Sequence, residues 1–389
     1  TFRVTGKIPE LWHPDTGVIE PAPVWSAQNG RVKVRLDFDP AGSVFVIFRH
    51  AAGSADHVVA INGVISKEFT TGPKVEIQHA VYAAADGAGE LDVTEKITSL
   101  VRDGHFAISA NNETLGRDPA VNHEKELRVD YMLDGKPGRL TARENESITL
   151  PGNMTIGLPP QWETGAVGDR ATTIKAWSNG SIELRLANGK VLHADATNLP
   201  APQELTGDWN LSFPPNWGAP PSIKLEQLIS WTGHTNDGVR YFSGTATYEK
   251  EIEIPAERLT AGRELWLDLG AVKNFAEVSL NGKSLGVLWK PPFRVNITSA
   301  AKPGMNKLVI KVTNLWPNRL IGDEQLPDDR EWNGKQLASW PDWLLQGKPS
   351  PTGRLTFTTW HHWTKDDALL ESGLLGPVTL RTAAIIPAD

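Results

Sequence analysis

ELWLDLGAVKNFAEVSLNGKSLGVLWKPPFRVNITSAAKPGMNKLVIKVTNLW, residues 264–316, together with SGTATYEKEIEIP at 243–255, decides the fold of this chain. Apolar and charged residues alternate in three of its segments, which is the period-two pattern of half-buried strands. The alternating apolar residues are Tyr248, Ile252 and Ile254, then Leu265, Leu267 and Leu269, then Leu308, Ile310 and Val312. Asn281-Gly282 favours a type I′ hairpin turn, because both central residues of that turn need positive φ. The stretch therefore predicts an antiparallel β-sandwich.

Further hairpin signals extend the all-β prediction to most of the chain. They are Asn62-Gly63, Asp134-Gly135, Asn179-Gly180 and Asn188-Gly189. One segment predicts a helix, with Asp92 as its N-cap, Glu95 completing a capping box and Gly104 at its end. The apolar stripe of that helix consists of Ile97, Leu100 and Val101, and we expect it to pack on a sheet. The predicted fold class is all-β, with tandem antiparallel β-sandwiches.

Chain length and the positions of prolines predict how the chain is divided into domains. At roughly 100–200 residues per domain, 389 residues predict two or three domains, and a cluster of prolines after residue 200 indicates a boundary there. We predict strands at 1–53 that continue from or pack against an upstream domain, a β-sandwich with one short helix at 54–200, and a second sandwich with long Trp-rich loops at 201–389. SVFVIFR at 43–49 is predicted to be a strand that is buried on both faces.

Composition excludes several classes of function. The net charge of −7 comes without a cluster of Lys and Arg that would neutralise phosphates, so we expect no nucleic-acid partner. No apolar run approaches the roughly 18 residues of a membrane span, and we expect no membrane contact. With no cysteine there is neither a disulfide framework nor a thiolate metal site. The chain starts at Thr1 without a signal segment, so we expect it to be processed or cut from a longer protein.

Fifteen tryptophans are the one unusual feature of the composition. Several of them fall between residues 316 and 363, where exposed coplanar indoles would form a stacking platform for sugar rings, with polar side chains as hydrogen-bond donors nearby. The candidate ligand-binding residues are Trp316, Asn318, Arg319, Trp340, Trp343, Trp360, His361 and Trp363. The alternative is that these tryptophans are buried and hold long loops together.

The same loops are rich in carboxylates. Glycoside hydrolysis needs two of them on either side of the scissile bond, one protonated and one ionised, roughly 5–10 Å apart. The carboxylates are Asp323, Glu324, Asp328, Asp329, Glu331, Asp342, Asp366, Asp367 and Glu371. A catalytic pair among them would make the chain a self-contained glycosidase or polysaccharide lyase, and the alternative is solvated or calcium-binding loop carboxylates.

The order of motifs in 243–316 resembles the sugar-binding, galactose-binding-like sandwich of glycoside hydrolase family 2. There a strand, an NGK hairpin, a short D-I-T-like turn and a G-x-N-x-L-x-V strand recur, and here Asn296 stands where the turn usually has Asp. Five further motifs make nearly the whole chain similar to the C-terminal region of glycoside hydrolase family 106, the α-L-rhamnosidases. They are GKIPELWHPDTG at 6–17, SVFVIFR at 43–49, LISWTGHTNDGVRYFSGTATY at 228–248, LWPNRLIGD at 315–323 and SGLLGPVTL at 372–380.

This resemblance implies that the chain has an accessory role and contains no catalytic residue. In that family the catalytic carboxylates, and the calcium that holds the rhamnose, lie in an N-terminal barrel, so no catalytic residue is carried over to this sequence. It implies that the last domain is a galactose-binding-like jelly roll and that the chain is the accessory or carbohydrate-binding region of a secreted or periplasmic α-L-rhamnosidase-like enzyme for polysaccharide degradation. Its partners would be a rhamnose-containing polysaccharide or oligosaccharide and the upstream barrel.

Two alternatives stay open beside that role. One is the self-contained enzyme that would use the loop carboxylates, and the other is a purely structural scaffold for a missing catalytic barrel. No cofactor is required, but galactose-binding-like sandwiches often hold a structural calcium ion, whose ligands the sequence does not identify.

Overall fold

The fold is given by a computed structural model that describes residues 1–53, 56–65, 75–101, 106–133, 135–144, 146–150, 162–167 and 171–388. Contacts between residues group the chain into two compact units. One contains Thr1–Val64 and Pro159–Asp389, and the other contains Ile65–Leu158. The predicted limits at residues 53 and 200 differ from the limits of these units, and the three-domain division stays a prediction. No helix within the described ranges is both long and apolar enough to cross a membrane.

Most regular elements are β-strands, and the helices are short. The first strands are β1 (Glu10–Trp12), β2 (Ile19–Pro21), β3 (Trp25–Gln28), β4 (Arg31–Val34), β5 (Phe45–Ile47), β6 (Val58–Ile65), β7 (Val75–Ala84), β8 (Glu90–Asp92), β9 (Phe106–Ser109), β10 (Lys125–Leu133), β11 (Lys136–Arg143) and β12 (Ser147–Leu150). The next are β13 (Trp162–Val167), β14 (Ala171–Ala176), β15 (Gly180–Leu186), β16 (Val191–Ala196), β17 (Gln203–Glu204), β18 (Trp209–Ser212), β19 (Ser222–Leu225), β20 (Thr245–Ile254) and β21 (Arg263–Asp268). The last are β22 (Ala271–Lys273), β23 (Phe275–Leu280), β24 (Lys283–Leu288), β25 (Arg294–Asn296), β26 (Gly304–Thr313), β27 (Trp332–Asn333), β28 (Gln336–Leu337), β29 (Gly373–Gly376) and β30 (Thr379–Ala388). The helices are α1 (Thr94–Leu100), α2 (Asn112–Leu115), α3 (Asp237–Arg240), α4 (Pro317–Asp323) and α5 (Asp342–Leu345).

Two six-stranded sheets form a sandwich within the larger unit. The first has the order β13-β14-β30-β21-β25, with β17 also paired to β30, and the second has the order β19-β18-β20-β26-β23-β24. The strand pairs described in both sheets are antiparallel. Their inner faces share one apolar core, to which Leu267 and Leu380 of the first sheet and Tyr248 and Ile310 of the second contribute. The predicted all-β class with an antiparallel sandwich is confirmed.

The Asn281-Gly282 turn joins β23 to β24 as predicted. Its two residues have φ values of 52° and 80°, the positive values that a type I′ turn needs. The Asn281 side-chain amide also donates to the carbonyl of Ala300 at 2.9 Å and to Oδ1 of Asn306 at 2.7 Å. The turn therefore closes the hairpin and also anchors the connection that leads into β26.

The other hairpin signals have mixed outcomes. Asn188-Gly189 joins the paired strands β15 and β16, and β10 and β11 form a hairpin around Gly135, although residue 134 lies outside the described ranges. The prediction at Asn62-Gly63 was wrong, because both residues continue β6. The prediction at Asn179-Gly180 was also wrong, because this pair connects β14 to β15, which belong to different sheets. An Asn-Gly pair makes a hairpin only where the flanking strands pair with each other.

The predicted helix corresponds to α1 in the smaller unit. Its N-cap is Val93 rather than Asp92, whose Oδ1 instead accepts a hydrogen bond from the backbone amide of Thr94 at 2.8 Å. Gly104, the predicted end of the helix, lies outside the described residues. Ile97 is fully buried in a core that includes residues of β7 and β10, so the helix packs on a sheet as expected.

Two segments differ from their predictions. Residues 43–49 contain a strand of only three residues, β5, and Phe45 on it is 60% exposed, so this strand is not buried on both faces. The region after Trp316 contains α4, α5 and the β27–β28 hairpin as well as loops. Helix α4 has no apolar stripe to reveal it, because its buried residues include Asn318, Arg319 and Asp323. Hydrogen bonds and ion pairs hold these polar side chains in place of apolar packing.

Candidate functional site

A cleft of about 230 Å³ lies where β26 finishes and β23 begins. It is formed by three connections: the one between β22 and β23, the one from β26 into α4, and the one that leads into β29. We call it the Asn274 cleft. Its lining residues are Lys273, Asn274, Asn314, Leu315, Asn318, Leu370 and Glu371.

Two buried asparagines fix the walls of the Asn274 cleft. Asn314 accepts a hydrogen bond from the amide of Gly244 at 2.8 Å and donates one to the carbonyl of Phe242 at 2.9 Å. Asn318 bonds both backbone groups of Leu370, at 2.7 and 2.8 Å. These bonds tie the connections to one another and to the start of β20, so the cleft is preorganised.

The cleft also contains polar side chains that are partly exposed to solvent. Lys273 Nζ lies 3.4 Å from Glu371 Oε2, and the two side chains are 38% and 44% exposed. Asn274 is half-buried, and its side-chain amide makes no hydrogen bond with any part of the chain that the structure describes. An amide in that position offers a donor and an acceptor that a bound polar group can satisfy.

Exposed apolar side chains flank these polar groups. Leu315 and Leu370 in the lining are 45% and 43% exposed, and the neighbouring Trp316 and Phe275 are 57% and 42% exposed. A pyranose ring presents hydroxyl groups at its edge and C–H groups on its faces. An amide and an ion pair beside exposed apolar surface therefore match the two kinds of surface of a saccharide.

The structure separates the eight residues that the sequence predicts as ligand contacts. Asn318 lines the Asn274 cleft, but its amide is already bonded to the backbone. Arg319 is buried and forms an ion pair with Asp323 at 3.0 Å. Trp316 is exposed and packs edge-on against Trp217, with 5.9 Å between ring centroids. Of these three, only Trp316 presents a free surface close to the cleft.

Trp340 and Trp343 pack against the same ring, that of Phe357. The Trp340 ring is stacked on it at 25° with 5.7 Å between centroids, whereas the Trp343 ring meets it at 82° and 5.9 Å. The two indole planes therefore cannot be coplanar, which corrects the expectation of one flat platform for this pair. Trp340 is 56% exposed, while the indole N–H of Trp343 donates to the carbonyl of Asp329 at 3.3 Å.

The remaining predicted residues lie beside a group of charges rather than in the Asn274 cleft. His361 stacks on Trp332 at 5.1 Å and 15°, and its Nε2 lies 3.0 Å from Glu324 Oε2. Trp363 lines a small pocket with His361 and Glu324. Trp360 is 46% exposed. Ligand binding by these residues stays a prediction.

Those charges form a network that we call the arginine cluster, defined as Arg330, Arg354, Glu324, Asp328 and Asp329. The two arginine side chains are 3% and 2% exposed. Glu324 Oε1 lies 3.0 Å from Nη2 of Arg330 and 3.0 Å from Nη1 of Arg354. Asp328 is 3.1 Å from Arg330, and Asp329 is 3.6 Å from Arg354. The acidic residues of this loop thus balance two buried guanidinium groups.

The electrostatics of the arginine cluster do not suit glycosidase chemistry. Burial by itself raises the pKa of Glu324, but hydrogen bonds from Arg330 and Arg354 outweigh it and hold the pKa below its ordinary value of 4.5. Burial also raises the pKa of Asp328, yet hydrogen bonds from Trp332 and Arg330 bring it below the ordinary 3.8. The general acid of a glycosidase needs a raised pKa. Neither carboxylate fits that role.

Among the described residues, no group of three or more His, Asp or Glu side chains could hold a metal ion. Within the arginine cluster, the guanidinium groups lie between the carboxylates, where a cation would otherwise bind. A structural calcium ion bound by other oxygen atoms stays a prediction.

We expect the arginine cluster to lose stability in acid. Because the pKa of Glu324 is lower in the folded protein than its ordinary 4.5, its contribution to stability is complete above that value and is lost as the pH falls through the lower, folded pKa. Melting temperatures of the wild type and Glu324→Gln, measured between about pH 3 and pH 7, should differ most at neutral pH and converge in acid. A difference that stays constant over this range would contradict the assignment.

The sequence gives little indication of the Asn274 cleft. Glu371 was noted only as a loop carboxylate, and Lys273, Asn274, Leu315 and Leu370 were not identified. The available signal is positional: Lys273-Asn274 precedes a predicted strand, and Asn314-Leu315 follows another. Antiparallel pairing of those two strands brings the two segments to the same sheet end.

Comparison with known proteins identifies the domain that carries most of this cleft. Residues 231–349 match the glycosyl hydrolase 2 galactose-binding domain-like family, in agreement with the predicted galactose-binding-like sandwich. A protein of Formosa agariphila named "Putative beta-glucuronidase" is 32% identical over 471 aligned residues, which cover 97% of this chain and 40% of the relative. The chain thus spans less than half the length of that relative.

Two solved structures of glycoside hydrolases match parts of this chain. The rhamnosidase from Novosphingobium sp. PP1Y is 24% identical, with a TM-score of 0.41, and the match covers 83% of this chain and 25% of that one. The β-glucuronidase from Ruminococcus gnavus in complex with D-glucuronic acid is 22% identical, with a TM-score of 0.32, and the match covers 50% of this chain and 31% of that one. The similarity to family 106 stays a prediction.

Proposed function

We propose that this chain is a non-catalytic, carbohydrate-binding accessory region of a glycoside hydrolase and that the Asn274 cleft holds the saccharide. The premise is the galactose-binding-like domain at residues 231–349. The observation that carries the proposal is a preorganised cleft in which the unused amide of Asn274 lies beside the Lys273–Glu371 ion pair. In this proposal the hydrolytic reaction belongs to another part of a longer protein, and sugar binding needs no cofactor.

In the cleft, polar side chains would bind the hydroxyl groups of a sugar, and apolar side chains would contact its C–H groups. The Asn274 amide and the ion pair would exchange hydrogen bonds with hydroxyl groups, since polar groups placed in a pocket set the orientation of a ligand. Leu315 and Leu370 would cover C–H groups of the ring. Trp316, exposed at the edge, would extend the contact to a second sugar unit.

The glycan we propose is a rhamnose-containing polysaccharide or oligosaccharide, met in a secreted or periplasmic setting. The resemblance of five sequence motifs to those of α-L-rhamnosidases supports this choice, and the apolar Leu315 and Leu370 suit the methyl group of a 6-deoxy sugar. The name of the Formosa agariphila relative supports a second candidate, a glycan that contains glucuronic acid. Lys273 in the cleft would then pair with the uronate carboxylate.

We expect Asn274→Ala to weaken glycan binding about tenfold, because it removes two neutral hydrogen bonds of about 0.5–1.5 kcal/mol each. Affinity gels and calorimetry with rhamnogalacturonan fragments and with a glucuronoxylan measure the effect and distinguish the two candidate glycans. The matched control is Asn210→Ala, since Asn210 is exposed on β18 and its side chain makes no hydrogen bond with the described residues. Equal affinities for the two variants would contradict the cleft as the binding site.

A scaffold role is the second candidate, and exposed apolar side chains on a small sheet favour it. Ile19 on β2 and Phe45 on β5 both pair with Trp12 across β1. They are 54% and 60% exposed. In this role they would contact the catalytic barrel of the longer protein. If the wild-type chain binds none of the glycans, the scaffold role replaces the binding role.

A further inference from the structure

The outer face of the first sheet carries a compact group of aromatic and cationic side chains. We call it the Trp177 cluster, and it consists of Lys175, Trp177, Trp266, Arg294 and Arg381. The strands place its members together, because Leu265 and Leu267 point into the core and leave Trp266 on the outer face. In the strand register, Trp266 pairs with Arg381 and Asp268 pairs with Arg294.

The cations lie over the indole rings. The guanidinium carbons of Arg294 and Arg381 are 5.2 and 5.0 Å from the centroid of the Trp177 ring. Lys175 Nζ lies 4.4 Å from the centroid of the Trp266 ring, and the two indoles meet edge to face at 5.6 Å. Cation–π contact favours these positions but leaves the N–H groups of the cations free to donate.

Several N–H groups of the cluster have no acceptor within the described part of the chain. There, neither the buried indole Nε1 of Trp177 nor the buried Nη1 of Arg294 has a hydrogen-bond partner, and Trp177 is only 7% exposed. The guanidinium of Arg381, which is half-buried, forms no hydrogen bond or ion pair with any residue in the described ranges. Buried donors without acceptors are rare in folded proteins, so two of them beside a half-buried, unpaired guanidinium call for an explanation.

Three of the neighbouring carboxylates already have partners, and the fourth, Asp39, is too distant for a hydrogen bond. Glu163 accepts from Nη2 of Arg294 at 2.6 Å, and Glu264 lies 3.0 Å from Lys175. Asp268 accepts from the backbone amide of Gly270 at 2.9 Å. Asp39 is 4.0 Å from Arg294.

The lowered pKa of Arg381 also indicates that its positive charge is not fully compensated by its surroundings. Burial lowers the pKa of Arg381, Asp268 and Glu163 raise it, and the like charge of Arg294 lowers it, with a net lowering. An anion at this position would offset both the burial and the repulsion between the two guanidinium groups.

We propose that the Trp177 cluster is a subsite for an oxyanion, either a carboxylate or a sulfate ester, carried by the bound glycan. Arg381 would donate to two of its oxygens, and the Trp177 N–H and Arg294 Nη1 would complete the site. Because the cations and carboxylates here nearly balance, the ion would be held by directed hydrogen bonds rather than by net positive charge. The choice of a saccharide as the carrier rests on the proposed function.

The test is a titration of the full chain with three sugars that differ at one carbon: D-glucuronate, D-glucose 6-sulfate and neutral D-glucose. The readout is the indole N–H resonance of Trp177 in a ¹H–¹⁵N spectrum, identified by its absence in Trp177→Phe. We expect one or both anions to shift this resonance and glucose to leave it unchanged. A response to glucuronate alone indicates a uronate, and a response to the sulfate alone indicates a sulfated sugar.

Variants separate binding from folding. Arg381→Gln should weaken the anion response at least about 100-fold, because it removes two charge-assisted hydrogen bonds. Arg185→Gln, an exposed arginine on β15 with no ion pair among the described residues, should leave it unchanged. If Arg381→Gln does not fold, binding measured by calorimetry in Trp177→Phe tests the same site, because that variant removes only the N–H and part of the ring.

The outcomes distinguish this subsite from the proposed function. No shift with either anion, or an equal shift with glucose, overturns the oxyanion subsite. If polysaccharide binding persists and still depends on Asn274, the proposed function stands without the subsite. If polysaccharide binding fails while the anions shift the Trp177 resonance, the subsite stands and the cleft assignment falls.

Discussion

Arg354→Leu should lower the free energy of unfolding of the larger unit by about 3–5 kcal/mol, the usual cost of removing one partner from a buried ion pair. The Arg354 side chain is 2% exposed and lies 3.0 Å from Glu324. It also donates to the backbone carbonyls of Leu326 and Pro327 at 3.1 and 3.4 Å. Leucine would fill part of the space but leave buried carboxylate charge and two carbonyls without their partner.

Tryptophan fluorescence during urea unfolding measures this effect selectively. All fifteen tryptophans fall in the segments of the larger unit, and none falls in residues 65–158. The matched control is Lys224→Met, which breaks the Lys224–Asp208 pair, whose side chains are 63% and 48% exposed. We expect less than about 1 kcal/mol for this exposed pair. A similar change in both variants would show that the arginine cluster does not stabilise the unit.

The arginine cluster gives the carboxylates of the Trp-rich loop a structural role. In sequence, closely spaced carboxylates and tryptophans suggest either a catalytic pair or a sugar platform. In the structure, Arg330 and Arg354 meet Glu324 from two separate segments of the loop. The loop is therefore held by a network of buried ion pairs in addition to its aromatic contacts.

The sandwich could be predicted because its signals are local. Alternation of apolar residues in 264–316 reports which face of each strand is buried, and Asn281-Gly282 specifies a turn through its own backbone conformations. The same turn signal failed at Asn62-Gly63, because tertiary pairing kept β6 extended through it. Local signals are therefore dependable where the neighbouring strands agree with them.

The candidate sites could not be predicted in the same way. The Asn274 cleft joins three connections that are distant in sequence, and only the pairing of β23 with β26 brings two of them together. The Trp177 cluster depends equally on the register that places Arg381 opposite Trp266. Asn318 and Arg319 were identified by residue type, but their hydrogen bonds and ion pair give them structural roles. Residue type indicates which chemical groups are present, whereas strand register determines which of them have no partner within the protein and can bind a ligand.

Tyr248→Phe should lower the free energy of unfolding of the same unit by roughly 2–6 kcal/mol, because it leaves two buried donors unsatisfied at about 1–3 kcal/mol each. The Tyr248 hydroxyl accepts from the indole N–H of Trp231 at 2.6 Å and from the backbone amide of Leu374 at 3.0 Å. Burial raises the pKa of this hydroxyl, so it stays protonated at neutral pH. Both donors are buried in the core of the sandwich, since Trp231 is 1% and Leu374 is 0% exposed.

The backbone around this hydroxyl leaves no room for an alternative partner. A Cβ atom on Gly373 would lie 2.6 Å from Trp231 Nε1 and 2.8 Å from the Tyr248 oxygen, so β29 passes directly beside the pair. The control is Tyr241→Phe, since the Tyr241 hydroxyl makes no hydrogen bond with the described residues, and we expect a change within about 0.5 kcal/mol. Urea unfolding followed by tryptophan fluorescence compares the two variants. If they unfold at the same urea concentration, Tyr248 contributes only its ring to the core, and its hydroxyl does not hold β29 in place.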